Sequence, residues 1–314
     1  SSRPSLEGTS PNAVASRMRH DSSFVTLERT ASRPRQGARV VAVAVVVDDA
    51  MSSIARRVVV FGGNGYVGSA IARALVGASE SQSASTSTST SVSAPSVKIV
   101  CASRSGAPPA WARGEAWVER AEWVRCDALD AAACEATTRD ADAVVTAIGA
   151  LPLPWMRAED IVRLNGDTNV VPGRAAMMNG TKRLVVVGAT IPPLAPGLAS
   201  YARGKALAEA FARDEFASVD EGRSAVVLKP AAVSGTRRVG GGVSLPLSLV
   251  MDPARFFIRA TGWSAALEHA PVPLENVARA AARAALDVEC ETFDRGFSVV
   301  SNSSLITEDY HHHL

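Results

Sequence analysis

Two groups of residues have types and spacings fit for chemistry. Tyr201 and Lys205 stand four apart in the run YARGK. On a helix, residues i and i+4 share a face. An ammonium beside a phenol favours the phenolate, so Lys205 is expected to draw the Tyr201 pKa down toward neutral pH. A tyrosine poised in this way passes a proton to or from a carbonyl or an alcohol. The second group is GGNGYVG, residues 62–68, with glycines at 62, 65 and 68. A tight turn with positive φ takes glycine. A backbone that comes close to a pyrophosphate also takes a residue with no side chain. A helix opening at the end of this run would turn its free N–H groups and its positive dipole end toward the phosphates.

Such chemistry needs elements that bring the loop and the pair to one edge. Six short apolar runs read as strands: 57–61, 97–102, 123–126, 143–148, 183–188 and 225–228. They are rich in β-branched residues and nearly continuous, as suits strands covered on both faces. Helix-like stretches lie between them at 66–76, 128–136, 159–179 and 201–216. The alternation predicts an α/β fold, a doubly wound parallel Rossmann sheet with helices on both faces and right-handed crossovers. The glycine run then falls between the first strand and the first helix, the context its fingerprint requires. From Thr236 onward the pattern loosens around Gly240–Gly242 and closes with one amphipathic helix, Leu274–Leu286. Residues 236–286 are expected to form a small substrate-side lobe over the carboxyl edge of the sheet.

The second strand carries the cofactor preference. A fold that prefers NAD usually ends this strand on an acid that binds the ribose hydroxyls. Here the position reads Ala102-Ser103-Arg104-Ser105. Arg104 can pair with a 2′-phosphate while Ser103 or Ser105 donates a hydrogen bond, which favours NADP, with NAD as the alternative. A solvated surface arginine is the plainer reading of Arg104. Asp127, ending the third strand, either accepts from an adenine amine or caps a helix starting at Ala128.

The rest of the sequence sets limits. With 314 residues, 47% apolar and 20% charged, the chain has an ordinary globular composition. A net charge of +2 gives no electrostatic reason to expect nucleic acid. The longest apolar run, residues 40–47, is too short to span a bilayer, so any membrane association is at most peripheral. Four cysteines without CxxC spacing point to neither a zinc site nor a disulfide framework, and no metal site is expected. Residues 1–39 hold seven Arg, no Lys, three acids and eight Ser, the balance of an organellar transit segment. The chain opens without Met and Met51 precedes the first strand, so upstream translation is the other reading of this segment. Residues 1–54 are accordingly set apart from a single domain over 55–314. Within that domain, twelve of the 18 residues at 79–96 are Ser or Thr, which predicts a disordered surface insertion. Trp111, Trp117 and Trp123 read as local packing.

Several motifs together resemble the atypical short-chain dehydrogenase/reductase superfamily. They are GGNGYVG, SRSG (103–106), NGxxN (Asn165 to Asn169), KRLVVVGA (182–189), YARGK and VLKP (227–230), and the resemblance covers residues 56–300. The match is nearest to plant and algal NAD(P)-binding proteins of chloroplasts. These are related to a fungal coenzyme Q biosynthesis factor and to the nucleotide-binding accessory subunit of respiratory complex I. The resemblance implies that Gly62, Gly65 and Gly68, with Gly63, Asn64, Tyr66 and Val67 of the same loop, hold the pyrophosphate. Ser103 and Arg104 would hold the adenosine ribose. Tyr201 would be the proton donor, Lys205 would hold the nicotinamide ribose, and Lys229-Pro230 would line the nicotinamide side. The family's active-site Ser falls on Gly188, leaving Thr190 as a substitute or as the mere start of a loop. Without a hydroxyl there, a substrate carbonyl loses one polarising donor.

Two functions follow. One is NADPH-dependent reduction of an apolar, quinone-like or prenylated substrate under a greasy lid at 243–258. The other is a non-catalytic NADP-binding accessory protein docked on an organellar protein complex of quinone biosynthesis or electron transfer. The expected location is organellar, with the chloroplast favoured and the mitochondrion as the alternative.

Overall fold

The computed structural model describes residues 56–85, 96–191, 197–239, 243–246, 268–287 and 296–307. The transit-like segment, most of the Ser/Thr-rich tract and most of the lid run at 243–258 lie outside the described residues.

Seven strands form one parallel sheet: β1 Arg56–Phe61, β2 Val97–Ser103, β3 Ala121–Arg125, β4 Ala143–Thr146, β5 Arg183–Val187, β6 Ser224–Leu228 and β11 Gly296–Val300. Their order across the sheet is β11-β6-β5-β4-β1-β2-β3. This is the doubly wound Rossmann order with one strand added, and its direction of winding reverses between β1 and β4. Small pairings outside the sheet join β7 Val233–Ser234 to β10 Val272–Pro273, and β8 Thr236–Val239 to β9 Val243–Pro246.

The helices are α1 Tyr66–Ser85, α2 Ala116–Glu119, α3 Ala131–Thr138, α4 Ala158–Asn165, α5 Asp167–Met178, α6 Ala199–Ala210, α7 Leu274–Leu286 and α8 Asn302–Thr307. The sheet's near-continuous apolar runs follow from their placement. Val58 and Val60 of β1 pack with Ile71 and Leu75 of α1 and Val277 and Ala281 of α7. Val59 and Phe61 pack on the other face with Ala175 of α5 and with Phe211 and Phe216, which lie beyond α6. Successive strand side chains point to opposite faces, so a sheet covered twice favours apolar residues at nearly every strand position. Each such valine contributes about 1.5–3 kcal/mol through burial.

The register aligns the carboxyl ends of the strands. Phe61 pairs with Ala102 on one side and Thr146 on the other, and Val187 pairs with Leu228. The loops after β1, β2, β4, β5 and β6 therefore leave from one edge. At the opposite end the fully buried Arg183 pairs with the carboxylate of Asp287 at 3.3 Å, tying the exit of α7 to the start of β5.

Several expectations change. Helix α1 runs on through Ser85, seven residues into the tract read as an insertion. A helix already nucleated on a buried face extends at little cost per residue, and Glu80 on this extension pairs with Arg120. The stretch 159–179 is two helices, broken at Gly166, whose φ of −102° and ψ of −75° depart from helical values. The stretch 201–216 is α6 followed by a wider π turn, Phe211–Phe216, which buries both phenylalanines. Helix α7 does not belong to a lobe over the carboxyl edge: it covers a face of the sheet beside α1. Strand β11, missing from the sequence reading, completes the edge beside β6. Its burial alternates only weakly, so no period marked it.

Candidate functional site

Gly62 ends β1 with φ +81°, a conformation that side chains oppose, and its N–H donates to the Ala102 carbonyl at 2.9 Å. The Gly65 N–H closes the turn onto the Gly62 carbonyl at 2.8 Å. A Cβ on Gly68 would stand 2.1 Å from the Gly62 oxygen, so the loop and the first turn of α1 meet backbone to backbone. The first N–H groups of α1 have no carbonyl four residues earlier within the helix to receive them. The result is a side-chain-free cradle of donors at the switch point of the sheet, a fit for a diphosphate. Asn64 ties this cradle to the next loop, its Nδ2 donating to Ser105 Oγ at 3.0 Å. Tyr66 does not open into the cradle, since its hydroxyl is buried against Gly235, and Val67 packs on the core.

At the end of β2, Ser103 is buried. Its Oγ accepts from the Gly106 N–H at 3.2 Å and shares a hydrogen bond with Ser105 Oγ at 3.2 Å. That hydroxyl builds the turn, leaving the exposed Arg104 and Ser105 as the groups that face outward. No acid stands at 103–106. Asp127 is exposed and does not cap α3. Its carboxylate accepts from the Leu129 N–H, while Asp130 is the N-cap and accepts from Ala133.

Across the sheet, Lys205 of α6 is buried, and its Nζ donates to the Val187 carbonyl at 2.8 Å and the Ile148 carbonyl at 3.3 Å. Burial pulls this ammonium down to about 8 from its ordinary 10.5. Tyr201 lies one turn earlier and is half-buried. Burial raises its pKa, opposite to the expected lowering, because desolvation opposes the phenolate. Helix α6 is seated closely on α4 at Gly204. A Cβ on Gly204 would lie 2.8 Å from both the Asn165 Cβ and the Val162 carbonyl oxygen.

The peptide after β4 joins the two halves. A Cβ on Gly62 would touch the Ala147 oxygen and Ile148 Cγ1, each at 3.0 Å, while Lys205 bonds the Ile148 carbonyl. The fully buried Asn165 clamps the next residues. Its Oδ1 accepts from the Ala150 N–H at 3.1 Å, and its Nδ2 donates to the carbonyls of Ala150 and Ile161. Asn169 donates to the carbonyls of Ile148 and Asn165. The glycine turn, Lys205 and Asn165 thus converge on residues 147–150. Sequence reading noted the NGxxN motif but gave it no task; two amides flanking Gly166 in an otherwise helix-like run were the available signal. The loop that follows carries Leu151, Leu153 and Trp155, exposed by 54%, 41% and 78%. These were also missed.

On the β5–β6 side, a Cβ at Gly188 would lie 3.1 Å from both the Leu228 oxygen and Val227 Cγ1, so a serine fits there only if β6 gives way. Thr190 does not replace it. Its hydroxyl donates to the Lys229 carbonyl at 2.7 Å and its N–H to the Pro230 carbonyl, which commits it to the loop. Pro230 is buried, and Lys229 pairs with Glu209 of α6 at 3.0 Å. A cleft of about 730 Å³ opens beside the glycine loop between α1, α7 and Trp111; Asn64, Gly65 and Tyr66 line it, and Tyr201 and Lys205 do not. The three tryptophans pack on one another, with ring centres 6.4 and 6.0 Å apart. Among the described residues no cluster of His, Cys, Asp and Glu is placed to hold a metal, and no helix is long and apolar enough to cross a membrane.

A parallel sheet of this order, with a glycine cradle at its switch point, defines a nucleotide-binding Rossmann protein of the dehydrogenase type. The chain belongs to the NAD-dependent epimerase/dehydratase family, whose model matches residues 58–244. A chloroplastic, uncharacterised protein of Arabidopsis thaliana is 32% identical over 199 residues, which are 63% of this chain. The chain's match spans 57% of that relative's length. Among solved structures, a short-chain dehydrogenase/reductase from Serratia marcescens matches with a TM-score of 0.55 and 16% identity, over 80% of this chain and 98% of its own. A UDP-N-acetylglucosamine 4-epimerase from Methanobrevibacter ruminantium, in complex with UDP-N-acetylmuramic acid, matches with a TM-score of 0.53 and 18% identity, over 79% of this chain and 77% of its own. MoeE5, in complex with UDP-glucose and NAD, matches with a TM-score of 0.51 and 18% identity, over 79% of each chain. These structures share the fold.

Proposed function

We propose that this protein is an NADP(H)-dependent oxidoreductase that reduces the carbonyl of an apolar, quinone-like or prenylated substrate in the chloroplast. The observation that carries the proposal is the convergence of a side-chain-free glycine turn and a buried ammonium on residues 147–150 at the switch point. A nicotinamide bound there supplies the hydride. Gly62, Gly65, Gly68 and the first turn of α1 hold the diphosphate. Arg104 takes the 2′-phosphate, and Lys205 holds the second ribose. Burial keeps the Tyr201 phenol protonated at neutral pH, which suits a group that gives its proton to a substrate oxygen. Leu151, Leu153 and Trp155, on the loop that leaves β4, offer an apolar surface to the substrate. The plastid location is supported by the chloroplastic relative.

A second reading is favoured by the crowding at Gly188 and the commitment of Thr190, which leave no hydroxyl from positions 188 and 190 to polarise a substrate carbonyl beside Tyr201. On this reading the protein holds NADP without turnover, as an accessory to a quinone-synthesis or electron-transfer assembly. One experiment separates the two. Thermal unfolding of wild type and Arg104→Ala is followed with NADPH, NADH or neither, and NADPH oxidation is followed with quinones and enones. A larger shift with NADPH that Arg104→Ala reduces supports both readings. Turnover abolished by Tyr201→Phe selects the enzyme; tight binding without turnover selects the accessory. No shift with either nucleotide overturns both.

A further inference from the structure

Two thiols meet where β3 gives way to α3, and the proposed reaction uses neither. Cys126 follows β3, and Cys134 lies in the first half of α3, eight residues on. Their sulfurs are 3.9 Å apart, and each thiol points at the Asp127 carbonyl oxygen at 3.6 Å. Sequence spacing hides this pair. The turn at 127–130, closed by the Asp130 N–H onto the Asp127 carbonyl and capped by the Asp130 side chain, folds α3 back over the end of β3.

We propose that Cys126 and Cys134 form a reversible intramolecular disulfide, making this turn an oxidation site at the adenosine end of the cleft. The sulfurs already face each other, and bond formation needs a closure of about 2 Å, since a disulfide is about 2.05 Å long. Such closure falls within the reach of rotamer changes and a small shift of one short helix. The Cys134 S–H donates toward Cys126, which lowers the Cys126 pKa and raises that of Cys134, so Cys126 is the attacking thiolate. Burial, Asp127 and Asp130 oppose ionisation of both, and a hydrogen bond with Thr137 lowers the Cys126 pKa further. With hydrogen peroxide as the oxidant, the Cys126 sulfur attacks one peroxide oxygen and the O–O bond breaks. Cys126 becomes a sulfenic acid, and the departing hydroxide leaves as water with a proton from solvent. The Cys134 sulfur then attacks Cys126 Sγ. The S–O bond breaks and hydroxide leaves as water with the Cys134 proton. Two thiols and one peroxide give one disulfide and two waters.

Oxidation takes both thiol hydrogens away from the neighbourhood of the Asp127 carbonyl, 3.6 Å from each sulfur. The same turn is anchored to β2, because the Cys126 N–H donates to the Ser103 carbonyl at 2.9 Å. Closing the disulfide therefore strains the strand end that carries Arg104. This consequence, unlike the disulfide itself, rests on the nucleotide reading above. Cys101 serves as an internal control: all three thiols are buried, but burial pushes the Cys101 thiol up to about 12 while Cys126 is lowered, so Cys101 is expected to stay reduced.

The test treats the reduced full-length protein with hydrogen peroxide, alkylates the remaining thiols under denaturing conditions and maps the peptides by mass. The expected product is a Cys126–Cys134 cross-link, two hydrogens lighter and reversed by dithiothreitol, with Cys101 alkylated throughout. In Cys134→Ser, Cys126 stops at a sulfenic acid or its further oxidation products; in Cys126→Ser, Cys134 stays alkylatable. Wild-type thiols that both remain alkylatable overturn the proposal, as does a cross-link from either cysteine to Cys290. NADPH affinity of the oxidised protein is expected to fall by at least three-fold. Unchanged affinity with the disulfide in place overturns the coupling to the nucleotide site. Absence of NADPH binding in the reduced protein overturns the nucleotide reading, while the mass map still decides the thiol chemistry.

Discussion

Between β1 and α1 the site is shaped mainly by close backbone contacts of glycines, whereas between β4, β5 and α6 it is shaped by buried side chains that bind backbone. On the first side, Gly62, Gly65 and Gly68 hold the loop through main-chain contacts, and the space belongs to atoms that are missing. On the second side, Lys205, Asn165 and Thr190 each spend their polar groups on carbonyls and N–H groups of neighbouring loops. The first edge tolerates no added atom. The second tolerates no lost hydrogen bond. A phosphate needs a surface of donors at close range, while a reacting centre needs a few groups fixed in position, and the two materials match those needs.

Substitutions at each edge test this contrast. Gly68→Val is expected to do the most damage, because its Cβ would stand 2.1 Å from the Gly62 oxygen. We expect a stability loss of about 3 kcal/mol, as for severe overpacking. The thermal shift with NADPH should vanish; a retained shift would break the idea of a backbone-only edge. Lys205→Met probes the opposite edge through pH. The folded protein holds this ammonium at about 8 against an ordinary 10.5, so between those values the unfolded chain binds more protons and stability rises with pH. The rise attributable to this group is about 3 kcal/mol. Urea titrations at pH 7.5 to 10 (roughly the window set by that shift) should show it in wild type and not in Lys205→Met. Equal slopes would place the ammonium in solvent.

Asn165→Ala strands the N–H and carbonyl of Ala150 and should cost about 2 kcal/mol, read by chemical denaturation. It should also depress turnover by loosening the segment against Lys205. Thr190→Val is expected to be mildest. Losing its bond to the Lys229 carbonyl costs about 1 kcal/mol. Turnover should stay near wild type; a drop of about 100-fold would instead make Thr190 a donor to the substrate.

The same contrast explains what could be read in advance. The five inner strands were legible because covering both faces forces unbroken apolar runs, edge strand β3 was legible from its short WVRC run, and the glycine turn was legible because close backbone contacts favour residues without a side chain. Side-chain clamps leave weaker traces. Asn165 looks like any polar helical residue until its partners at Ala150, fifteen positions away, are in place. Thr190 was weighed as a donor because position alone does not reveal the Lys229 carbonyl that its hydroxyl serves. Strand β11 was lost because an edge strand needs only one covered flank, and α7 was misplaced because amphipathicity states that a helix has an inner face but not which layer receives it. The Cys126–Cys134 contact was invisible because no linear motif encodes a capped turn folding back on its own strand.

Gly204 touches nothing that reacts, yet α6 rests on it. A single methyl there would act as a wedge, tilting the whole rod that bears Tyr201 and Lys205 while the sheet beneath stayed intact. A displacement of about 1 Å at a reacting group is enough to cost two orders of magnitude in rate. A screen that scores soluble expression would therefore pass over residue 204, and a screen that scores turnover would find it first.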